Sequence, residues 1–216
     1  MTAHDFTPIF AGARVMVILR DLPPQETVRL ANRAWDLGID VVEVPVRTPE
    51  AVTALRAAVE AGRERDRIVG AGTVFTPAQV RQSASAGAAF TVAPGLDLAV
   101  ADVALTYGIP HLPGVATPTE AQRARDHGLT WLKAFPAVSL GPQWFKAVAG
   151  PLPELRFVAT GGIDAGNAAD FLAAGVKVVA VGSALSDPAQ IDRLAELARG
   201  DRTACPPGTA CPPGTA

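Results

Sequence analysis

Cysteine is nearly missing from this chain: the only two, Cys205 and Cys211, fall in a short repeat at the C-terminal end. A fold held by disulfides is therefore not expected, and the cysteine usage fits a cytoplasmic protein. Histidine is scarce as well. His4, His111 and His127 show no HxH or HExxH spacing and have no acidic cluster beside them, which argues against a protein-bound transition metal. No apolar stretch approaches the roughly 18–20 residues that span a bilayer, and the N-terminus lacks a basic segment followed by an apolar one. With a formal net charge of −2 and no block of like charges, neither nucleic acid nor a membrane surface is an expected partner. Glycine-rich phosphate loops are missing too: no GxGxxG follows the first strand-like run, and GxxxxGK[ST] does not occur. Nicotinamide and ATP are disfavoured, no cofactor is expected, and a small soluble substrate is the default partner.

The scarcest charged residue is lysine. Of 19 basic residues only Lys133, Lys146 and Lys177 are lysines. Lys133 lies within Trp131-Leu132-Lys133-Ala134-Phe135-Pro136, a stretch that otherwise reads as a buried strand, where an ammonium is penalised unless it is paired or deprotonated.

What the chain does contain is a regular alternation. Short β-branched runs bounded by Gly or Pro read as strands over 15–20, 40–46, 67–73, 89–94, 110–115, 131–136, 156–161 and 178–183. Between them run Ala-rich amphipathic segments. Several open on helix-start signals, at Pro23-Pro24, Thr48-Pro49-Glu50, Thr76-Pro77, Thr117-Pro118 and Asp187-Pro188. Gly38, Gly87, Gly108, Gly128 and Gly175 read as helix stops. A further helix is expected over Asp5–Ala13. The pattern predicts a single-domain α/β protein, a (β/α)₈ TIM barrel over 1–200, with a doubly wound open sheet as the alternative. Residues 201–216 carry Thr-Ala-Cys-Pro-Pro-Gly twice and read as a low-complexity, disordered tail.

In such a barrel chemistry gathers at the C-terminal ends of the strands. The polar residues expected there are Arg20, Glu43, Arg47, Thr73, Lys133, Thr160 and Ser183. A period of two puts Glu43, Pro45 and Arg47 on one face of their strand and Lys133 with Phe135 on one face of theirs, so Glu43 and Lys133 converge if both faces point inward. A structural ion pair is the plain alternative. Lys146 and Lys177 are expected in solvent, which leaves Lys133 as the amine placed to attack a carbonyl and form a Schiff base.

Gly161-Gly162, ahead of a helix expected to open near Asp164, and Gly182-Ser183 form two adjacent turns that suit a phosphate, or else ordinary strand-to-helix turns. Gly70-Ala71-Gly72 reads either as close packing or as a wall of the site. Pro45 is expected to interrupt or bulge its strand. Trp35, Trp131 and Trp144 read as packing between helix and sheet, and His111 as a structural histidine.

Taken together, Val-Ile-Leu-Arg20, Val-Glu43-Val-Pro-Val-Arg47-Thr, Val-Gly-Ala-Gly-Thr73-Val, Ala-Pro94-Gly, Leu-Pro-Gly114-Val-Ala-Thr, Leu-Lys133-Ala-Phe-Pro, Ala-Thr160-Gly-Gly-Ile and Val-Gly182-Ser resemble the 2-keto-3-deoxy-6-phosphogluconate (KDPG) aldolase family, which includes 4-hydroxy-2-oxoglutarate (KHG) aldolase activity. The resemblance implies a metal-independent class I aldolase, usually a homotrimer, with 2-keto acids and pyruvate as its ligands. It implies Lys133 as Schiff-base lysine and Glu43 as general acid/base. Arg47 and Thr73 would hold the pyruvate-side carboxylate, with Pro94 and Phe135 lining the pocket. Thr160, Gly161, Gly162, Gly182 and Ser183 would surround the phosphate end, with Arg20 near it. Glu43-Val44-Pro45 and Phe-Pro…Gly141-Pro-Gln are similar to the phosphogalactonate branch, whereas Arg47-Thr48 is similar to the phosphogluconate and hydroxyoxoglutarate branch, so the C4 epimer stays open. Other readings are a phosphate-binding barrel isomerase or synthase, which needs no lysine in the sixth strand, and a catalytically silent barrel serving as a ligand-binding or assembly module.

Overall fold

The computed structural model describes residues 4–182 and 188–199. Ser183 and the repeat tail, with its boundary expected near residue 200, lie outside the described residues. In chain order the elements are β1 (Val15–Ile18), α1 (Pro24–Asp36), β2 (Val41–Pro45), α2 (Pro49–Arg63), β3 (Val69–Gly72), α3 (Pro77–Ser85), β4 (Thr91–Val92), α4 (Leu98–Thr106) and β5 (His111–Leu112). They continue with β6 (Gly114–Val115), α5 (Pro118–Asp126), β7 (Trp131–Ala134), α6 (Ala137–Leu140), α7 (Pro142–Ala149), β8 (Arg156–Thr160), α8 (Ala168–Ala173), β9 (Val178–Val181) and α9 (Pro188–Arg199).

The helix starts follow the chemistry of the sequence. Thr48, Thr76 and Thr117 each cap a helix that begins with proline, their hydroxyls accepting the N–H three residues on. At Thr76 and Thr117 the Gln79 and Glu120 side chains accept the cap's own N–H in return.

All strand pairs are parallel, and the order around the sheet is β5-β4-β3-β2-β1-β9-β8-β7-β6. Its two ends, β5 and β6, are consecutive in the chain and parted only by Pro113. The sheet therefore comes round on itself as a (β/α)₈ barrel rather than an open sheet. The single fifth strand expected over 110–115 is split because proline brings no N–H to the ladder. Its carbonyl still accepts from the Lys133 N–H at 2.8 Å.

At Pro45 the ladder is interrupted on one side, as expected, and no bulge forms. The β1 ladder ends with Ile18 opposite Glu43, and Pro45 pairs only with Gly72 of β3, on the side where Val46 N–H donates to Gly72 at 2.8 Å. The absent N–H thus faces no ladder partner.

The segment 5–13 is a series of turns, not a helix. Pro8 removes a helical donor, and the Thr7 N–H goes to the Asp5 carboxylate at 2.9 Å. Its apolar residues close the lower end of the barrel. Phe6 stacks on Phe10 at 5.4 Å and meets the edge of Phe90 at 5.7 Å, while Phe10 packs on Trp131 at 5.1 Å. Trp131 consequently belongs to the inner core with Met16, Val41, Leu112 and Val178, not to the helix–sheet layer where Trp35 lies.

A buried histidine pair ties the same N-terminal segment to β5. His4 Nδ1 accepts the His111 N–H at 3.2 Å, and His111 Nδ1 meets the Thr91 hydroxyl at 2.9 Å. Burial pushes the His111 imidazole down to about 3, and lowers His4 as well. His111 is therefore neutral when folded and protonated in the unfolded chain below its ordinary value of 6.5. Its stabilisation is complete above that value and is lost as pH falls toward 3, at about 2 kcal/mol between pH 6.5 and 5. Urea midpoints should decline across that window, and the decline should flatten in a His111→Gln variant. An equal slope in both proteins would exclude the histidine as its source.

Candidate active site

Alternation along the barrel strands decides which side chains meet. Lys133, on β7, stands between Gly114 of β6 and Val158 of β8, and Glu43, on β2, between Ile18 of β1 and Gly70 of β3. Both are almost wholly buried, at 5 % and 1 % exposure. Glu43 fits because of Gly72: a Cβ there would lie 1.8 Å from Glu43 Oε1. Gly72 is thus the seat of the carboxyl group, and a Cβ on Gly70 would lie 2.1 Å from the Phe90 ring, so both glycines are close-packed positions and neither lines the cavity described below. Glu43 Oε2 is buried without a hydrogen-bond partner among the described residues.

Burial pushes the Glu43 carboxyl above its usual range, against the pull of Lys133 and Arg20. Burial likewise lowers Lys133; Glu43 opposes that shift and Arg20 adds to it. Both shifts favour neutral forms, a free amine on one side and a proton-carrying acid on the other. The direct Glu43–Lys133 ion pair of the structural reading is not among the pairs formed by the described residues. The ammonium or amine instead lies 5.2 Å from the centre of the Phe135 ring.

Above these groups opens a cavity of about 810 Å³. Lys133, Arg20, Arg47, Thr73, Pro94 and Phe135 line it, as do Thr160, Gly161, Gly162 and Gly182 on the β8–β9 side. Glu43 lies below the residues that form its wall, 1 % exposed. Ser183 lies outside the described residues.

The chain matches the aldolase family described as "KDPG and KHG aldolase" over residues 7–199. It belongs to that family. A probable 2-dehydro-3-deoxy-6-phosphogalactonate aldolase of Rhizobium meliloti is 37 % identical over 175 residues, covering 81 % of this chain and 82 % of the relative. A KHG/KDPG aldolase of Escherichia coli K12 is 39 % identical over 182 residues, covering 81 % and 84 %. Among solved structures, the KDPG aldolase of Legionella pneumophila, with pyruvate captured as a covalent carbinolamine, is 31 % identical with a TM-score of 0.77, covering 90 % of this chain and 96 % of that one. The chain is a lyase of this Schiff-base aldolase class.

Several details of the aldolase site were not legible in its sequence. Beyond Gly161 and Gly162, whose φ values of 97° and 75° need glycine, the helix opens at Ala168 rather than near Asp164. Asp164 instead closes a turn, its Oδ1 accepting the N–H groups of Gly166 at 2.7 Å and Asn167 at 3.2 Å. Thr160 Oγ1 is buried without a hydrogen-bond partner among the described residues. Phe75, more than half exposed, contributes an apolar patch to the rim. Arg47 donates from Nη2 to both carboxylate oxygens of Asp21, a residue that no local spacing singles out. Lys146 and Lys177 are exposed, as expected.

Proposed function

We propose that this aldolase cleaves a 2-keto-3-deoxy-6-phospho sugar acid, KDPG, to pyruvate and glyceraldehyde 3-phosphate, and also 4-hydroxy-2-oxoglutarate to pyruvate and glyoxylate. The observation carrying this reading is a single buried amine, lowered by burial, that opens into a cavity with a raised carboxyl group beneath it. Lys133 Nζ attacks the C2 carbonyl, and Glu43 gives its proton to the departing hydroxyl of the carbinolamine, so that water leaves, an iminium forms and Glu43 becomes a carboxylate. Glu43 takes the proton of the C4 hydroxyl as the C3–C4 bond breaks, and the bonding electrons pass into the iminium to give an enamine. Proton return to C3 and hydrolysis release pyruvate and the free amine.

Arg47 and Thr73 hold the carboxylate, and Pro94 and Phe135 flank the three-carbon unit. At the far end the backbone N–H groups of Gly161, Gly162 and Gly182 and the Thr160 hydroxyl, together with Ser183 and Arg20, receive the phosphate or another polar terminus. In this reading residues 1–200 form one catalytic domain working in the cytoplasm, in keeping with the cysteine usage, and as a homotrimer, as the family resemblance implies.

Borohydride added with pyruvate should leave a reduced adduct on Lys133, located by peptide mass. No adduct, or one on Lys146 or Lys177, would refute the mechanism. The phosphogalactonate epimer is the second reading, favoured by Glu43-Val44-Pro45 and by the name of the Rhizobium relative. Cleavage rates on the two C4 epimers side by side distinguish them.

A further inference from the structure

The two arginines on the cavity rim differ in what occupies them. Arg20 makes no hydrogen bond or ion pair with another described residue, whereas Arg47 is engaged by Asp21 from the neighbouring loop after β1. Both of its bonds leave from Nη2. A guanidinium offers a carboxylate two forks, Nε with Nη2 and Nη1 with Nη2, and each fork needs that nitrogen. Asp21 therefore blocks both bidentate modes at once.

The Asp21 backbone has a φ of 57°, in the left-handed region that glycine enters freely and that aspartate and asparagine enter more readily than other residues. What glycine could not supply there is the carboxylate. The side chains of the pair are about half exposed, at 49 % for Arg47 and 59 % for Asp21, so the contact is weak enough to exchange.

We propose that Asp21 is a counter-ion that the substrate's carboxylate displaces from Arg47, and that it thereby sets how tightly the site holds a 2-keto acid. One carboxylate leaves the guanidinium as another arrives, so Arg47 keeps a carboxylate partner through binding and through pyruvate release, while the displaced Asp21 turns to solvent. The inference rests on the reading of Arg47 as the carboxylate holder.

The test uses Asp21→Asn in the full chain, since asparagine is similar in size, tolerates positive φ and carries no charge. Borohydride trapping on Lys133 is followed against pyruvate concentration and, separately, against methyl pyruvate, a neutral ester. The half-saturating pyruvate concentration should fall about two- to fivefold, the change falling there rather than on the maximal trapping rate, while the ester curve stays in place. A rise or no change with pyruvate overturns the exchange, as does an equal shift with the ester. Arg47→Ala is the companion: it should raise the half-saturating pyruvate concentration. If it does not, the assignment of Arg47 fails and the exchange with it, whereas a rise in Arg47→Ala beside an unaltered Asp21→Asn overturns the exchange alone.

Discussion

Replacing Lys133 with alanine is expected to lower cleavage of any 2-keto-3-deoxy acid on the order of 10,000-fold or more and to remove the borohydride adduct entirely. No other amine can take its place, because Lys146 and Lys177 are exposed on the outside of the barrel and the described cavity has no further lysine on its wall. The loss should be chemical rather than structural. Burial already disfavours the charged form of Lys133, and among the described residues it has no direct ion pair that would be broken. Lys133→Met, closer in volume, separates the two effects: it should melt near the parent temperature and still be inactive. Cleavage retained in either variant would remove Lys133 as the nucleophile.

The second large effect is expected at a residue with no side chain. Gly72→Ala would put a methyl group 1.8 Å from Glu43 Oε1 and 2.5 Å from its Cδ, so the carboxyl group has to move. Gly72 does not sit at positive φ, which leaves alanine free to adopt its backbone and makes displacement of Glu43 the main consequence. A misplacement of about 1 Å at a reacting group costs roughly 100-fold in rate, and overpacking a core position costs about 1–3 kcal/mol of stability. Pyruvate should still be trapped on Lys133 in this variant, because imine formation needs the amine. Exchange of solvent deuterium into the pyruvate methyl group should collapse with the cleavage rate. Exchange at the parental rate would show that the position of Glu43 does not matter to proton transfer.

These two experiments probe the part of the site that was most legible in the sequence. Lys133 stood out as a charge inside an apolar run, and a period of two was enough to aim it at Glu43. The barrel was legible for a similar reason: threonine–proline starts and β-branched runs are local chemistry, and local chemistry decides where elements begin. What could not be read depended on neighbours distant in the chain. Phe6 and Phe10 have helical spacing, yet their position follows from Phe90 and Trp131. For Pro45 interruption and bulge both stood open, because the sequence does not say that β1 stops short of it. Asp21 is joined to Arg47 only because two loops from adjacent strands meet at the rim.

The closure of the sheet has a consequence for how the enzyme is made. Val15 of β1 pairs with Val179 of β9, so the first strand waits for the last before the ring exists. Contacts this distant in sequence slow folding, because the entropy of closing the loop is lost before the pairing compensates for it. Lys133 and Glu43 are both synthesised well before that seam forms. On the ribosome the nucleophile and its acid are therefore present as residues before β9 is available to complete the ring around them.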